Sequence, residues 1–170
     1  MQVGGAAPFP RASVNLMTCA SNSGKTHLLQ KIFHHPGAFI EKHASIHRII
    51  YINCNKRDIG FIHPWQQDPF DDGAFELITL GIEQFSKFEE VVERDDAVIL
   101  DNLLMLSEAV HHLINYAAHH YNLTVFIVTQ SCLASPLYSL VSLVHNIVLF
   151  FKNSSTSRLA HHLLHHFSTA

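Results

Sequence analysis

The stretch that decides the fold reads VNLMTCASNSGKTHLLQKIFH and covers residues 14–34. Its first five residues, Val14 to Thr18, are mostly apolar and predict a short buried strand. A loop of small residues follows, consisting of Cys19, Ala20, Ser21, Asn22, Ser23 and Gly24. Residues 25–34 then carry apolar side chains at helical spacing, at Leu28, Leu29, Ile32 and Phe33. The predicted order is therefore strand, loop and helix.

The loop and the start of this helix, residues 19–26, match the phosphate-binding pattern G-x-x-x-x-G-K-[ST] at every fixed position except the first. In such a loop, inward-facing backbone N–H groups and the positive end of the helix bind a phosphate. Lys25 would reach β- and γ-phosphate oxygens, and Thr26 would offer its hydroxyl to Mg²⁺. Cys19 stands where the pattern has glycine, and cysteine lacks glycine's freedom at positive φ. The alternative interpretation is a chance Gly-Lys-Thr tripeptide at a helix N-terminus.

A second buried strand, AVILD at Ala97–Asp101, ends in an acid. A phosphate-binding loop needs such an acid to hold Mg²⁺, so Asp101 is the candidate metal ligand together with Thr26. Asn102 follows where an efficient ATPase would have a second acid. An amide can orient water but cannot accept its proton, so hydrolysis is expected to be slow or to use another base. The alternative role for Asp101 is to cap the next turn.

A third candidate follows the strand TVFIVT at Thr124–Thr129. Gln130 comes directly after this strand, which we expect to lie between the phosphate-loop strand and the Asp101 strand. From there its side chain could contact the γ-phosphate or the attacking water. Strand ends are often polar, so this signal is weak by itself.

The remaining segments predict an α/β fold in which strands and helices alternate. Strands are predicted at residues 47–53 and 146–151, and helices at residues 86–94, 107–120 and 157–167; residues 75–80 are compatible with either. Buried strands alternating with helices of 10 to 14 residues favour a mainly parallel sheet of about five strands, covered on both faces. We therefore expect an irregular segment over residues 1–12 and one three-layer domain over residues 13–170.

The composition excludes several classes of protein. With 48% hydrophobic and 15% charged residues in 170, the chain is not disordered over long stretches. We expect no membrane span and no secretory signal, because no run of about 18 apolar residues and no basic leader occurs. The net charge of −3 limits nucleic-acid binding to a local patch. Three cysteines without a C-x-x-C pair favour a reducing, intracellular compartment.

Histidine is unusually frequent, at 15 residues. Four His-His pairs fall on predicted helices, and His161/His165 and His162/His166 have the i, i+4 spacing that lets two imidazoles share a metal. No H-E-x-x-H motif accompanies them, and Leu163 and Leu164 between them have the character of core positions. We therefore interpret the histidines as a pH-sensitive surface rather than as a metal centre.

Five segments together resemble a known family: NLMTCASNSGKTHLLQKIF, HRIIYINCNK, AVILDNLLM, VFIVTQS and HNIVLFFKNSS. In order and spacing they are similar to the DNA-packaging ATPases of the FtsK–HerA type, most of all those of Maverick/Polinton elements and related double-stranded DNA viruses. The resemblance covers residues 14–167. It implies a RecA-like, additional-strand P-loop NTPase fold.

The resemblance also implies a function. It implies ATP and Mg²⁺ as cofactors, a homo-oligomeric ring, and translocation of double-stranded DNA into a capsid, with capsid or portal proteins as partners. The site of action would be a viral assembly site in the host nucleus or cytoplasm. Lys25, Thr26, Asp101 and Gln130 match the family's motifs, whereas Cys19 and Asn102 depart from them.

A ring ATPase of this kind also needs an arginine from the neighbouring subunit to stabilise the transition-state charge. Arg94 is the candidate, because it precedes the Asp101 strand and so lies far from the phosphates of its own subunit. Its alternative role is a charge at a helix C-terminus.

Two other functions are compatible with the phosphate loop. The chain could be a nucleotide-binding ring component with little or no hydrolysis, which Asn102 would explain. A small-molecule kinase is disfavoured, because residues 131–142 contain no arginine or lysine for a phosphate-covering lid.

Overall fold

The computed structural model describes residues 12–18, 24–34, 46–54, 76–130, 139 and 142–149. Within this part of the chain six strands form one sheet: β1 (Val14–Thr18), β2 (Arg48–Asn53), β3 (Glu76–Gly81), β4 (Ala97–Asp101), β5 (Thr124–Thr129) and β6 (Asn146–Leu149). Their order is β3-β2-β4-β5-β1-β6, and every pairing is parallel. The predicted α/β fold with a parallel sheet is confirmed.

The helices of the described residues connect these strands. Helix α1 (Lys25–His34) follows β1, and a 3₁₀ helix (Ile82–Lys87) runs into the short α2 (Phe88–Val91) after β3. After β4 come α3 (Glu108–His112), a π-helical turn (Leu113–Ala117) and α4 (Ala118–His120). The Ser107 hydroxyl caps α3, as the sequence predicts, by accepting the Val110 N–H at 3.3 Å.

Both faces of the sheet are covered, which gives the predicted three layers. Strand residues alternate between the faces because successive side chains point to opposite sides. One face packs against α1, where Phe33 meets Phe126 edge-on at 5.5 Å between ring centroids. The other face packs against α2, α3, the π-helical turn and α4, through Phe88, Val110 and Leu113. The central strands are therefore buried on both sides, which explains their nearly continuous apolar sequences.

The helix predicted at residues 86–94 is wrong in its bounds. The chain becomes helical at Ile82, directly after β3, because the Gln84 side chain accepts the Gly81 N–H at 3.0 Å and caps this end. Ser86 therefore lies inside the 3₁₀ helix instead of starting a helix. The helical segment ends at Val91, since Val92 turns extended and buries its side chain.

The order of β1, β5 and β4 in the sheet is the predicted one. Strand β5 lies between β1 and β4, so Gln130 follows the strand between the loop strand and the acid strand. Residues 75–80, compatible with either structure from sequence, contribute β3 to the edge of the sheet. Residues 1–11 and 150–170 lie outside the described residues, and with them the helix predicted at 157–167.

The described helices include none that is both long enough and apolar enough to cross a membrane.

The amino edge of the sheet carries an ionic cluster around Arg48. Its guanidinium lies 2.7 Å from Glu93, 3.3 Å from Glu76 and 3.6 Å from Asp96, and it donates a hydrogen bond to the Val91 carbonyl. This cluster joins β2, β3 and the turn that leads into β4.

Candidate functional site

The candidate site lies at the carboxyl edge of the sheet. Because all described strands are parallel, their carboxyl ends meet at this edge, and α1 begins there after the loop that follows β1. Asp101 ends β4, in register with Asn53 of β2. Thr129, just before Gln130, is in register with Thr18, the last residue of β1. The structure thus gathers Asp101, Gln130 and the start of α1 at one edge.

The structure describes the start of α1 from Gly24 onwards. Gly24 adopts φ +88°, a left-handed conformation that favours glycine, and its carbonyl accepts the Leu28 N–H at 2.9 Å. Lys25 begins the helix and is half-buried. Cys19, Ala20, Ser21, Asn22 and Ser23 lie outside the described residues, as does the side chain of Thr26. Their assignment to phosphate and Mg²⁺ stays a prediction.

Asp101 is held by Tyr51 of β2 and by Cys54, the residue after β2. The Tyr51 hydroxyl donates a hydrogen bond of 2.5 Å to Oδ2 of Asp101, and the Cys54 N–H donates one of 2.9 Å to its carbonyl. Strand alternation puts the Asp101 side chain on the same face as Ile99, which packs on the α1 side. The carboxylate is half-buried and faces the side of the sheet from which α1 starts.

Asn102 and Gln130 form a pair across the ends of β4 and β5. Gln130 Nε2 donates to Asn102 Oδ1 at 3.1 Å, and the next residue, Leu103, donates its N–H to the Val128 carbonyl at 2.9 Å. Asn102 adopts φ +61°, a left-handed conformation in which asparagine and aspartate are among the best tolerated side chains. The turn after β4 is therefore pinned to β5, and Gln130 lies beside the residue that replaces the usual second acid.

The Cys54 thiol lies near Asp101 in a largely buried position of low dielectric constant. Burial, and to a lesser degree the charge of Asp101, raises the pKa of Cys54 from 9.0 to about 12. The thiol therefore stays neutral at physiological pH and adds no negative charge beside Asp101.

Arg94 lies at the opposite edge, where the sequence predicts it. It is exposed in the turn before β4, while Asp101 ends the same strand on the far side of the sheet. Arg48, at the same amino edge, is engaged in the ionic cluster and has only 14% of its side chain exposed. Of these two arginines, only Arg94 is exposed to solvent.

Several of the described histidines make contacts with neighbouring side chains or with the backbone. His112 pairs with Glu89 at 2.9 Å and stacks on Tyr116, which in turn stacks on His120. His145 accepts the Val14 N–H through Nδ1 at 3.0 Å and so helps to pair β6 with β1. Among the described residues, no group of three or more His, Cys, Asp and Glu side chains could hold a metal ion. The pairs at 161/162 and 165/166 lie outside them.

Sequence reasoning missed Tyr51. The signal was present in the strand RIIYIN, whose alternation puts Tyr51 on the face of Ile49 and on the same side as the acid that ends β4. Without the pairing of β2 with β4, however, nothing in the sequence indicates that the tyrosine and the aspartate are neighbours.

The fold is similar to that of known ATPases. The genome packaging NTPase B204 from Sulfolobus turreted icosahedral virus 2, solved in complex with ATP-gammaS, superposes with a TM-score of 0.51 and 14% identity, covering 84% of this chain and 77% of that one. For the ATPase DotB from Legionella pneumophila the TM-score is 0.44 and the identity 14%, over 88% of this chain but only 37% of DotB. No protein-family profile and no curated protein sequence matches the chain. The parallel sheet and its strand order establish the three-layer α/β fold, and the similarity to B204 shows that a solved NTPase shares this fold.

Proposed function

We propose that this chain is an ATP-binding and ATP-hydrolysing motor subunit that packages double-stranded DNA into a capsid. One observation carries the nucleotide part of the proposal. Asp101 ends β4 and Gln130 directly follows the neighbouring β5, at the edge of the sheet where α1 begins at Lys25; this supports a site for phosphoryl transfer, in which catalysis depends on positioning and charge.

The residues present fit ATP and Mg²⁺. Asp101 offers a carboxylate, the hard oxygen ligand that Mg²⁺ prefers, and its Oδ1 makes no hydrogen bond with the described residues. Residues 19–24 would bind the phosphates through backbone N–H groups, Lys25 would neutralise their charge, and Thr26 with Asp101 would hold the metal. Bound Mg²⁺ would neutralise charge that develops on the phosphates. Gln130 would contact the γ-phosphate or the attacking water.

The DNA-packaging part rests on the resemblance of the five sequence segments and on the similarity of fold to B204, itself a viral genome packaging NTPase. A homo-oligomeric ring would place the exposed Arg94 of one subunit at the phosphates of the next. With a net charge of −3, the chain would contact DNA through loops that face the pore of the ring. Capsid or portal proteins would be the assembly partners.

The proposal is tested by measuring ATP affinity and ATP hydrolysis on the same preparation, with and without double-stranded DNA. We expect Mg²⁺-dependent binding and hydrolysis that DNA stimulates, both reduced strongly by Lys25→Ala. Lys31→Ala, in the same helix, is the matched control for loss of a lysine. Absence of Lys25-dependent ATP binding would reject the nucleotide site.

A second function is favoured by the Asn102–Gln130 pair. Both side chains that could orient water at the β4 and β5 ends are amides, and neither accepts a proton. On this reading the chain is a nucleotide-binding ring component with little turnover. Tight ATP binding without Lys25-dependent hydrolysis, in the presence or absence of DNA, would favour this function and reject the motor.

A further inference from the structure

Tyr51 hydrogen-bonds the side chain of Asp101, the candidate metal ligand. Its hydroxyl donates a short hydrogen bond of 2.5 Å to Oδ2 of Asp101. The tyrosine is only 3% exposed, because its ring is packed in the core between the sheet and α1. A buried ring has little rotational freedom, so the hydroxyl is fixed in space by the fold.

The strand register makes this contact possible. Tyr51 is paired with Ile99, and Asn53 with Asp101, so the tyrosine lies diagonally across from the acid on the same face of the sheet. The backbone of Asp101 is fixed as well, since its carbonyl accepts the Cys54 N–H. Cys54 thus restrains the backbone of Asp101 and Tyr51 restrains Oδ2, while Oδ1 makes no hydrogen bond with the described residues.

We propose that Tyr51 is a positioning residue that holds the Asp101 carboxylate so that Oδ1 faces Mg²⁺ or its water shell; this rests on the proposed nucleotide function. Groups that hydrogen-bond a metal ligand from behind orient it and tune its affinity, and their loss typically weakens metal binding about 10- to 100-fold. A phenol suits this role because it donates to one oxygen and leaves the other to the metal.

The experiment separates metal binding from nucleotide binding. A fluorescent ATP analogue is bound to the full chain in EDTA, and Mg²⁺ is then titrated while the affinity is measured. For Tyr51→Phe we expect the affinity in EDTA to stay within about twofold of wild type, while the Mg²⁺ concentration for half-maximal effect rises about 10-fold or more. Tyr116→Phe, which removes a hydroxyl from a half-exposed tyrosine, should leave both values unchanged.

A double variant distinguishes positioning from a general loss of structure. If Tyr51 acts through Asp101, Tyr51→Phe should add nothing to the Mg²⁺ requirement of Asp101→Asn. Additive effects, or an unchanged Mg²⁺ requirement in Tyr51→Phe, would overturn the inference while leaving the nucleotide site intact. A wild-type chain whose nucleotide affinity does not respond to Mg²⁺ would reject the proposed function, and the role of Tyr51 with it.

Discussion

Gln130 Nε2 donates a hydrogen bond of 3.1 Å to Asn102 Oδ1. This bond orients the two side-chain amides at the candidate site. The Asn102 oxygen is engaged by this bond, whereas Oε1 of Gln130 remains as an acceptor. An attacking water would need an acceptor, so we expect Gln130, rather than Asn102, to orient it. Asn102 in turn holds Gln130.

Asn102→Asp should accelerate ATP hydrolysis about 10-fold or more, because a carboxylate can accept the proton that an amide cannot. The left-handed φ of +61° tolerates aspartate, and the Gln130 amide can still donate to the new side chain. Steady-state kcat for ATP is the measurement. Asn102→Ser, which brings no base, serves as control, and equal rates in both variants would contradict a role for a proton acceptor at this position.

Gln130→Ala should lower kcat at least about 10-fold while the affinity for ATP changes by less than about threefold. The side chain is exposed and contacts Asn102, so its loss removes the orientation of water rather than a packing contact. The free energy of unfolding should stay within about 0.5 kcal/mol of wild type. A parallel loss of ATP affinity and kcat would instead place Gln130 among the ground-state binding residues.

Arg48→Met should destabilise the fold by about 3 kcal/mol in urea unfolding at neutral pH. The substitution leaves Asp96, only 3% exposed, without its cation. Arg94→Met removes an exposed arginine from the same edge and should change the free energy of unfolding by no more than about 0.5 kcal/mol. Similar effects of both substitutions would show that the ionic cluster contributes little.

The cost of Arg48→Met should shrink in acid. Burial, more than any other influence, raises the pKa of Asp96 above its ordinary value of 3.8. The folded state therefore favours the protonated form of Asp96. The contribution of Asp96 to the free energy of unfolding is fully present below its pKa in the unfolded chain, and it is lost as the pH rises through its pKa in the folded protein. Unfolding of wild type and Arg48→Met at about pH 7 and about pH 4.5 should show the smaller difference at the lower pH.

Cys54 should react at least about 100-fold more slowly with iodoacetamide at about pH 8.5 in the native protein than in the urea-unfolded chain. The thiolate is the reactive form, and a pKa of about 12 leaves very little of it. Peptide mapping by mass spectrometry separates its labelling from that of the other cysteines. Fast native labelling would mean that the β2 end opens readily.

The sequence predicts the strands of the sheet well, because β1, β2, β4 and β5 are buried on both faces and read as short apolar runs. The sequence also predicted that β5 lies between β1 and β4, but it did not predict the positions of β2, β3 and β6. The helix before Val92 was misplaced because a Ser-x-x-Glu pattern at Ser86 resembles a capping box, while the actual cap comes from Gly81 and Gln84.

Sequence patterns predicted which residues belong to the candidate site, but not which of them are in contact. Lys25, Asp101 and Gln130 could be identified because each occupies a fixed place in a local pattern. The contacts of Tyr51 with Asp101 and of Gln130 with Asn102 join residues 50 and 28 positions apart, and their distances depend on strand register and side-chain orientation. No local pattern carries that information.

The π-helical turn at Leu113–Ala117 has a consequence for changes in chain length. The backbone hydrogen bonds of a π turn join residues five apart, whereas those of an α-helix join residues four apart. The π turn therefore contains one residue more between α3 and α4 than a regular α-helix would. Deleting one residue there would convert the turn to a regular α-helix and leave Val110 on one side and Ala118 on the other in register with the sheet. We therefore expect this helical segment to tolerate the deletion of one residue at its centre better than a regular buried helix would.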